Sequence, residues 1–242
     1  MRVVDGGGTI APIDDVRCIT NHSTGRLSAR ITESCLRRGA EVWHIHAPAA
    51  ELPYARSARF DLDAGDTRAE WGRLEALLVE YRRGRDRLHR VGIGAGTVAD
   101  YSEALRRVLE ENDIDVAFLA MAVSDFEPEP VGGKLSSGLR KLLISCRPTP
   151  KVIQSLKGWS PGTFLIGFKL LSNVPLGTSI EAARDACRVN HADWTVANDQ
   201  ATVSAGRHVI HLVSPDGTSE SLGPDGDIAE ALVGRVFERL AR

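Results

Sequence analysis

Small residues and a few isolated charges, set at the ends of apolar runs, are the parts of this chain that could do chemistry. Asp5-Gly6-Gly7-Gly8-Thr9 follows Val3-Val4 directly. A glycine loop after a strand leaves backbone N–H groups free to cradle phosphate oxygens; the alternative is a tight turn that needs positive φ. No Gly-Lys-Ser/Thr follows, so the loop is not a P-loop. A second loop, Asn21-His22-Ser23-Thr24-Gly25-Arg26, opens onto a helical pattern. The free N–H groups and positive dipole end at a helix start suit an anion, and Asn21 is a neutral donor suited to a developing oxyanion. The structural alternative is Ser23 or Thr24 as a plain N-cap.

Later segments repeat the pattern of a polar residue at a strand end. Asp125 follows the apolar run Met121-Ala122-Val123, and open α/β sheets hold ligands at carboxyl ends of strands; capping the next turn is the other use for such an acid. Lys134 lies between Gly132-Gly133 and Gly138, in a loop able to close as a flap or simply to hold a solvated lysine. Phe168 and Asn198 end further strands, with a ring to stack on a base and an amide to read its edge. Gly92-Ile93-Gly94-Ala95-Gly96-Thr97 imitates a dinucleotide fingerprint. However, Thr97 replaces its last glycine, and the turn falls in the third βα unit rather than the first.

The elements that must position these residues alternate. Strands are predicted at 2–4, 41–46, 90–94, 115–123, 139–146, 164–170 and 193–197, with a possible short one at 59–62 and a hairpin over 208–214 and 220–222. Helices are predicted at 25–38, 67–81, 98–112, 149–156, 179–190 and 226–242, from apolar residues at helical spacing. Residues 124–137 read as loop. Strand–helix alternation implies a Rossmann-like α/β fold, a doubly wound and mainly parallel sheet, expected to be one domain over residues 1–242.

Composition narrows the class. A 43% hydrophobic and 26% charged chain is ordinary globular material rather than a disordered one. A formal charge of −2 argues against a nucleic-acid binder. Cys18, Cys35, Cys146 and Cys187 form no CxxC pair, which points to reduced thiols in a cytoplasmic protein rather than disulfides or a zinc site. No apolar run approaches the ~18 residues of a membrane span, and the start has no signal-peptide core.

In order along the chain, GGGT, PIDDVRCITNHSTGR, AVSDF, GGKLSSG, PTPK, GFKL and VAND resemble the phosphopantothenate–cysteine ligase (phosphopantothenoylcysteine synthetase) family, over residues 3 to 215. Ala99-Asp100-Tyr101, Pro53-Tyr54-Ala55, Lys134–Gly138 and Phe168-Lys169-Leu170 bring it closer to the stand-alone, eukaryote-type form. The usual bacterial enzyme is fused to a flavin decarboxylase, for which 242 residues leave no room.

The resemblance implies a ligase of coenzyme A biosynthesis. ATP or CTP, with Mg²⁺, would convert the carboxylate of 4′-phosphopantothenate to an acyl nucleotidylate, and the amine of L-cysteine would displace the nucleotide. By the resemblance, Gly7, Ser23 and Gly25 hold the triphosphate and Phe168 and Asn198 contact the nucleoside. Asn21 binds phosphopantothenate and orients the acyl nucleotidylate, and Ala122 and Asp125 contact the pantothenate. Arg17 reaches the substrate phosphate across a homodimer interface, and Lys134 on the flap neutralises phosphate charge. No protein metal ligand is implied, and a small antiparallel extension is expected to serve dimerisation and the flap.

The chain departs from the family pattern in places. Asp5-Gly6 stands where a hydroxyl residue and a small residue are usual, which predicts repulsion of a triphosphate unless a cation or base intervenes. Ser28 replaces a glycine, Leu171 stands in place of Glu, and Arg188-Val189-Asn190-His191 replaces the lysine-rich run of CTP users. Two rival readings follow: an NAD(P)-dependent oxidoreductase using the Gly92–Thr97 turn, and a non-catalytic homologue that binds a nucleotide or pantothenate.

Overall fold

The computed structural model describes residues 1–138, 140–204 and 208–241. In chain order the elements are β1 (Arg2–Gly7), β2 (Ile10–Pro12), β3 (Cys18–Thr20), α1 (Arg26–Arg37), β4 (Glu41–His46), α2 (Thr67–Gly84), β5 (Leu88–Gly92), α3 (Val98–Glu111), β6 (Val116–Phe118), β7 (Phe126–Pro128), β8 (Cys146–Pro148), α4 (Val152–Trp159), β9 (Phe164–Leu171), α5 (Leu176–Asn190), β10 (Trp194–Asp199), α6 (Gln200–Ser204), β11 (Ile210–Val213), β12 (Ser219–Leu222) and α7 (Ile228–Leu240).

The main sheet runs β12-β11-β10-β9-β6-β1-β4-β5. Its strands from β5 to β10 are parallel, while β11 and β12 add to the edge as an antiparallel hairpin. This is the expected doubly wound α/β sheet. The strand order reverses direction at β1, with β4 on one side and β6 on the other, which is the switch point of such folds.

Alternation along each strand sends side chains to two helical layers. Val3, Val42, Phe118, Ile166 and Val196 pack under α1 and α7. Val4, Ile45, Ala117 and Leu165 pack under α3 and α4. Each fully buried Ile, Leu or Phe in these layers contributes about 1.5–3 kcal/mol. The antiparallel extension consists of two small ladders, β2 with β3 and β7 with β8, with β2 lying against β7.

Several sequence expectations need correction. β1 continues through Gly7, because Gly6 and Gly7 pair with Ile45 and His46 of β4. The glycine is required there: a Cβ on Gly6 would lie 2.9 Å from the Ile45 carbonyl oxygen. The turn begins only at Gly8, whose φ is 68°. Residues 119–123 are not strand, although Leu119 and Met121 are buried. The β1–β6 ladder ends at Asp5 and Phe118, and beyond it the Leu119 N–H donates to the Ile166 carbonyl and the Ala122 carbonyl accepts the Thr9 N–H. The segment 124–137 is not wholly loop, since it holds β7, and β7 takes its partner from β8 at 146–148, later than the predicted 139–146 strand. Leu142, Leu143 and Ile144 form no ladder and stay exposed; Leu139 lies outside the described residues. No strand forms at 59–62, where Phe60 instead packs its ring 5.1 Å from that of Trp71. The β2–β3 hairpin and α6 are additions that the sequence pattern missed.

Candidate functional site

The carboxyl ends of β1 and β6 open on the crevice where this sheet class binds ligands. Gly7 closes β1, Gly8 turns the chain, and Thr9 is buried beneath the turn. The Thr9 N–H and hydroxyl both donate to the Ala122 carbonyl, at 3.2 and 3.3 Å, and the Ser124 N–H donates to the Thr9 hydroxyl at 3.3 Å. Thr9 therefore joins the two strand ends across the switch point and fixes Ala122. Sequence reasoning treated Thr9 only as the end of a glycine loop.

The second loop folds against the first. The Thr20 hydroxyl donates to the Thr9 carbonyl at 3.0 Å, and a Cβ on Gly8 would meet the Ser23 carbonyl oxygen at 3.8 Å. The Ser23 N–H donates back to the Asn21 carbonyl at 2.7 Å, so Asn21 lies in a tight bend with its residue exposed. Gly25, at φ 78°, is the N-cap of α1 and has no side chain to cap with, while the Thr24 hydroxyl accepts the Arg26 N–H at 3.3 Å. The reading of Ser23 or Thr24 as N-cap is thus replaced by a left-handed glycine. By contrast α2, α3 and α7 are capped by Asp66, Thr97 and Asp227. The first turn of α1 also lacks an acidic residue. A glycine-led helix start beside a glycine turn, with only its first N–H taken by a side chain, leaves N–H donors and dipole charge for an anion.

The departures at positions 5 and 28 meet in one buried cluster under this turn. Asp5 is 1% exposed. Its Oδ1 accepts the Gly6 N–H at 2.7 Å, and its Oδ2 accepts the Thr32 hydroxyl at 3.3 Å. Ser28 Oγ stands beside the same carboxyl but, among the described residues, closes no hydrogen bond of normal geometry. Burial pushes the Asp5 carboxyl well above the usual carboxylate range, against the opposing pull of these neighbours. His44, paired with Asp5 across β1 and β4, sits 3.0 Å from the Thr32 hydroxyl through Nδ1. Burial, aided by His46 and Arg90, pushes His44 down to about 3. Burial disfavours the charged form of both groups, which weakens the repulsion of a triphosphate expected from Asp5. Its carboxyl points toward α1, away from the turn.

Phe168 on β9 and Asn198 on β10 share a sheet face. Phe168 pairs with Val196, and Asn198 lies two residues further along the same strand. That face is the one covered by α1, the helix whose start borders Ser23 and Gly25. Asn198 is buried, with Oδ1 3.2 Å from His208 Nε2.

The Asp125 carboxyl is exposed and pairs with Lys151 at 2.5 Å, while its carbonyl accepts the Thr149 N–H at 3.0 Å. Lys151, from the Pro-Thr-Pro-Lys run, is a cation at the site that sequence reasoning did not assign. Its position directly after β8 was the available signal.

Arg17 and Lys134 belong to the extension. The Arg17 Nη1 donates to Asp14 Oδ2 at 2.7 Å and to the Leu135 carbonyl at 3.2 Å, which places it against the Lys134 loop of the same chain. The Lys134 side chain is exposed.

The Gly92–Thr97 turn has a structural use. Thr97 and Asp100 form a reciprocal capping box on α3, and a Cβ on Gly96 would meet Pro48 at 3.2 Å. A dinucleotide reading of this turn would need Asp113 or Asp115 as a ribose-binding acid, but Asp115 accepts the Arg2 N–H at 2.7 Å at the start of the strands, the opposite end of the sheet. Among the described residues no group of three or more His, Cys, Asp or Glu is arranged to hold a metal.

The family described as DNA/pantothenate metabolism flavoprotein C-terminal domain matches residues 2–67 and 81–239. A Thermococcus kodakarensis coenzyme A biosynthesis bifunctional protein, CoaBC, is 29% identical over 215 residues, covering 88% of this chain and 45% of its own. The phosphopantothenate–cysteine ligase of Mus musculus is 26% identical over 259 residues, covering 96% and 81%. The chain spans about half the length of the bifunctional relatives it matches. Among solved structures, the DNA/pantothenate metabolism flavoprotein from Streptococcus pneumoniae aligns at 26% identity and a TM-score of 0.76, over 99% of this chain and 97% of that one. A Cab2 mutant in complex with phosphopantothenate-cysteine shares the fold at 21% identity and a TM-score of 0.80, over 98% and 85%.

Proposed function

The chain belongs to the DNA/pantothenate metabolism flavoprotein C-terminal domain family, and on that premise we propose that it is a ligase joining 4′-phosphopantothenate to L-cysteine in coenzyme A biosynthesis. The observation that carries this reading is the Gly25-led start of α1 set against the Gly8 turn at the switch point. The names of the eukaryotic relatives and the product bound in the Cab2 structure support the substrate pair.

The chemistry asks for positioning rather than a protein nucleophile. A carboxylate oxygen of phosphopantothenate attacks the α-phosphorus of ATP or CTP, and pyrophosphate leaves. The cysteine amine then attacks the acyl carbon, loses a proton, and the nucleoside monophosphate departs. Gly7, Ser23 and Gly25 hold the triphosphate with main-chain donors, and Phe168 and Asn198 take the nucleoside on the face covered by α1. Ala122 and Asp125 line the pantothenate, Asn21 donates to the acyl oxygen as charge develops there, and Lys134 offsets charge on the phosphates.

Mg²⁺ accompanying the triphosphate would supply charge stabilisation to the leaving pyrophosphate. With Asp5 buried and Asp125 paired with Lys151, phosphate oxygens and water would hold it. We also infer a homodimer in which Arg17 reaches the substrate phosphate of the neighbouring subunit. Exposed Val16, Ile19, Phe126 and Leu143 on the extension support a second copy there.

The test is pyrophosphate release on mixing the protein with phosphopantothenate, cysteine, Mg²⁺ and either ATP or CTP. Release that needs phosphopantothenate, followed by phosphopantothenoylcysteine, is expected with at least one nucleotide. No release with either one overturns the assignment.

A further inference from the structure

The turn between β2 and β3 holds a buried acid to which the reading above gives no role. The Asp14 side chain has no exposed surface, yet it touches two separate segments. Its Oδ1 accepts the N–H groups of Val16 at 2.9 Å and Arg17 at 2.7 Å, which closes the turn. Its Oδ2 accepts the Arg17 Nη1 at 2.7 Å and the Leu135 N–H at 3.0 Å. The same Arg17 nitrogen donates to the Leu135 carbonyl. Both main-chain groups of Leu135 are therefore held, one by Asp14 and the other by Arg17.

The residue on the other side of Lys134 is held as well. The Asp15 N–H donates to the Gly133 carbonyl at 3.1 Å, and the Gly133 N–H returns a bond to Asp15 Oδ2 at 3.0 Å. Gly133 adopts φ 78°, a conformation that glycine takes without strain. Lys134 thus has both neighbours fastened to the β2–β3 turn while its own side chain projects free. Arg17, about one-third exposed, keeps Nη2 and Nε without a protein acceptor among the described residues, so it can take an anion without leaving the carboxylate.

We propose that Asp14 is a positioning residue for the ligase reaction: one buried carboxylate sets the backbone of the Lys134 loop and the head of Arg17 together. Five hydrogen bonds, counting that of Arg17 to Leu135, depend on it. Burial pushes the carboxyl up, but the N–H groups of Leu135, Val16 and Arg17 and the Arg17 charge outweigh that and hold it below the ordinary range. It is therefore ionised at neutral pH and attracts both partners. The proposal rests on the ligase reading for the roles of Arg17 and Lys134, but the linkage itself does not.

The test compares Asp14→Asn with Lys134→Ala and the double variant. Asparagine keeps the size and one acceptor, but presents an NH2 group or a neutral oxygen to Leu135 and Arg17. In ligand-free protein, amide exchange at Gly133 and Leu135 is expected to speed up by about tenfold or more in Asp14→Asn, the scale of a lost charge-assisted bond. Exchange at Val4 and Phe118 should stay unchanged. In pyrophosphate release, Asp14→Asn should lower kcat and raise the phosphopantothenate KM. In the Lys134→Ala background, its effect on kcat should vanish, as expected for residues acting as a unit.

Unchanged exchange at Leu135 overturns the proposal, as does a kcat loss that multiplies fully with that of Lys134→Ala. Exchange that also rises through the core would mark a merely structural role and overturns it too. If the unmodified protein released no pyrophosphate at all, the ligase reading would fail, and the exchange result would still decide the linkage.

Discussion

At the residue scale, the site depends on groups that burial has silenced as much as on groups left reactive. Asp5 and His44 carry opposite consequences for stability. The Asp5 pKa is raised in the fold, so its stabilising effect is complete below its unfolded value of 3.8 and falls as pH rises above it. His44 is held down at about 3 against 6.5, so its effect is complete above 6.5 and is lost as pH falls toward 3. Denaturant unfolding should therefore find Asp5→Asn gaining stability relative to the parent as pH rises from about 4 to about 8. A pH-independent difference would show the carboxyl to be ionised in the fold. For Asn21→Asp, pyrophosphate release should persist while acyl nucleotidylate builds up, because the added charge opposes the oxyanion that forms on amine attack. Normal product turnover in that variant would remove Asn21 from the assigned role.

At the element scale, the Gly92–Thr97 turn separates capping from cofactor binding. Thr97→Ala removes one half of the α3 capping box and should cost about 1 kcal/mol in urea unfolding, with the nucleotide KM unaltered. A large rise in that KM would place the turn in the site after all.

Long, regular elements were legible from the sequence: α1, β4, α2, α3, β9 and α5 fall within a few residues of their predicted spans, because a 3.6-residue or continuous apolar pattern runs through each. The errors cluster where the backbone takes non-local partners. β6 stops at Phe118 although the apolar run continues to Val123, because ladder partners rather than apolarity set where a strand ends. β2 and β3 are three residues each, too short for a period, and β7 and β8 are no longer. The glycine turn and the Asn21–Gly25 loop were readable as chain turns at a strand end and a helix start, because glycine and small polar residues there carry local information. The reach of Asp14 to Leu135 spans 121 residues and leaves no local trace.

At the scale of the whole molecule, the main sheet carries the Gly8 turn, Phe168 and Asn198, and the extension carries Arg17 and Lys134. The exposed apolar residues concentrate on that extension, which argues for a self-complementary contact. Sedimentation should show a dimer, and Leu143→Asp should shift it to monomer, with activity falling in step if Arg17 serves the neighbouring site. A monomeric parent protein with full activity would remove the shared site. Helix α2 lies apart from this arrangement. The family match breaks between residues 67 and 81, and the helix that fills the gap leaves Trp71 62% exposed.

The fastening of Leu135 through its main chain also bears on how freely the sequence can drift. A peptide N–H and C=O are the same whatever side chain they carry, so position 135 should accept many residue types in a saturation library selected for activity. Position 14 should accept almost none, since only a short carboxylate reaches both segments at once. The tolerance of the loop would then be governed by a residue on the far side of the primary sequence.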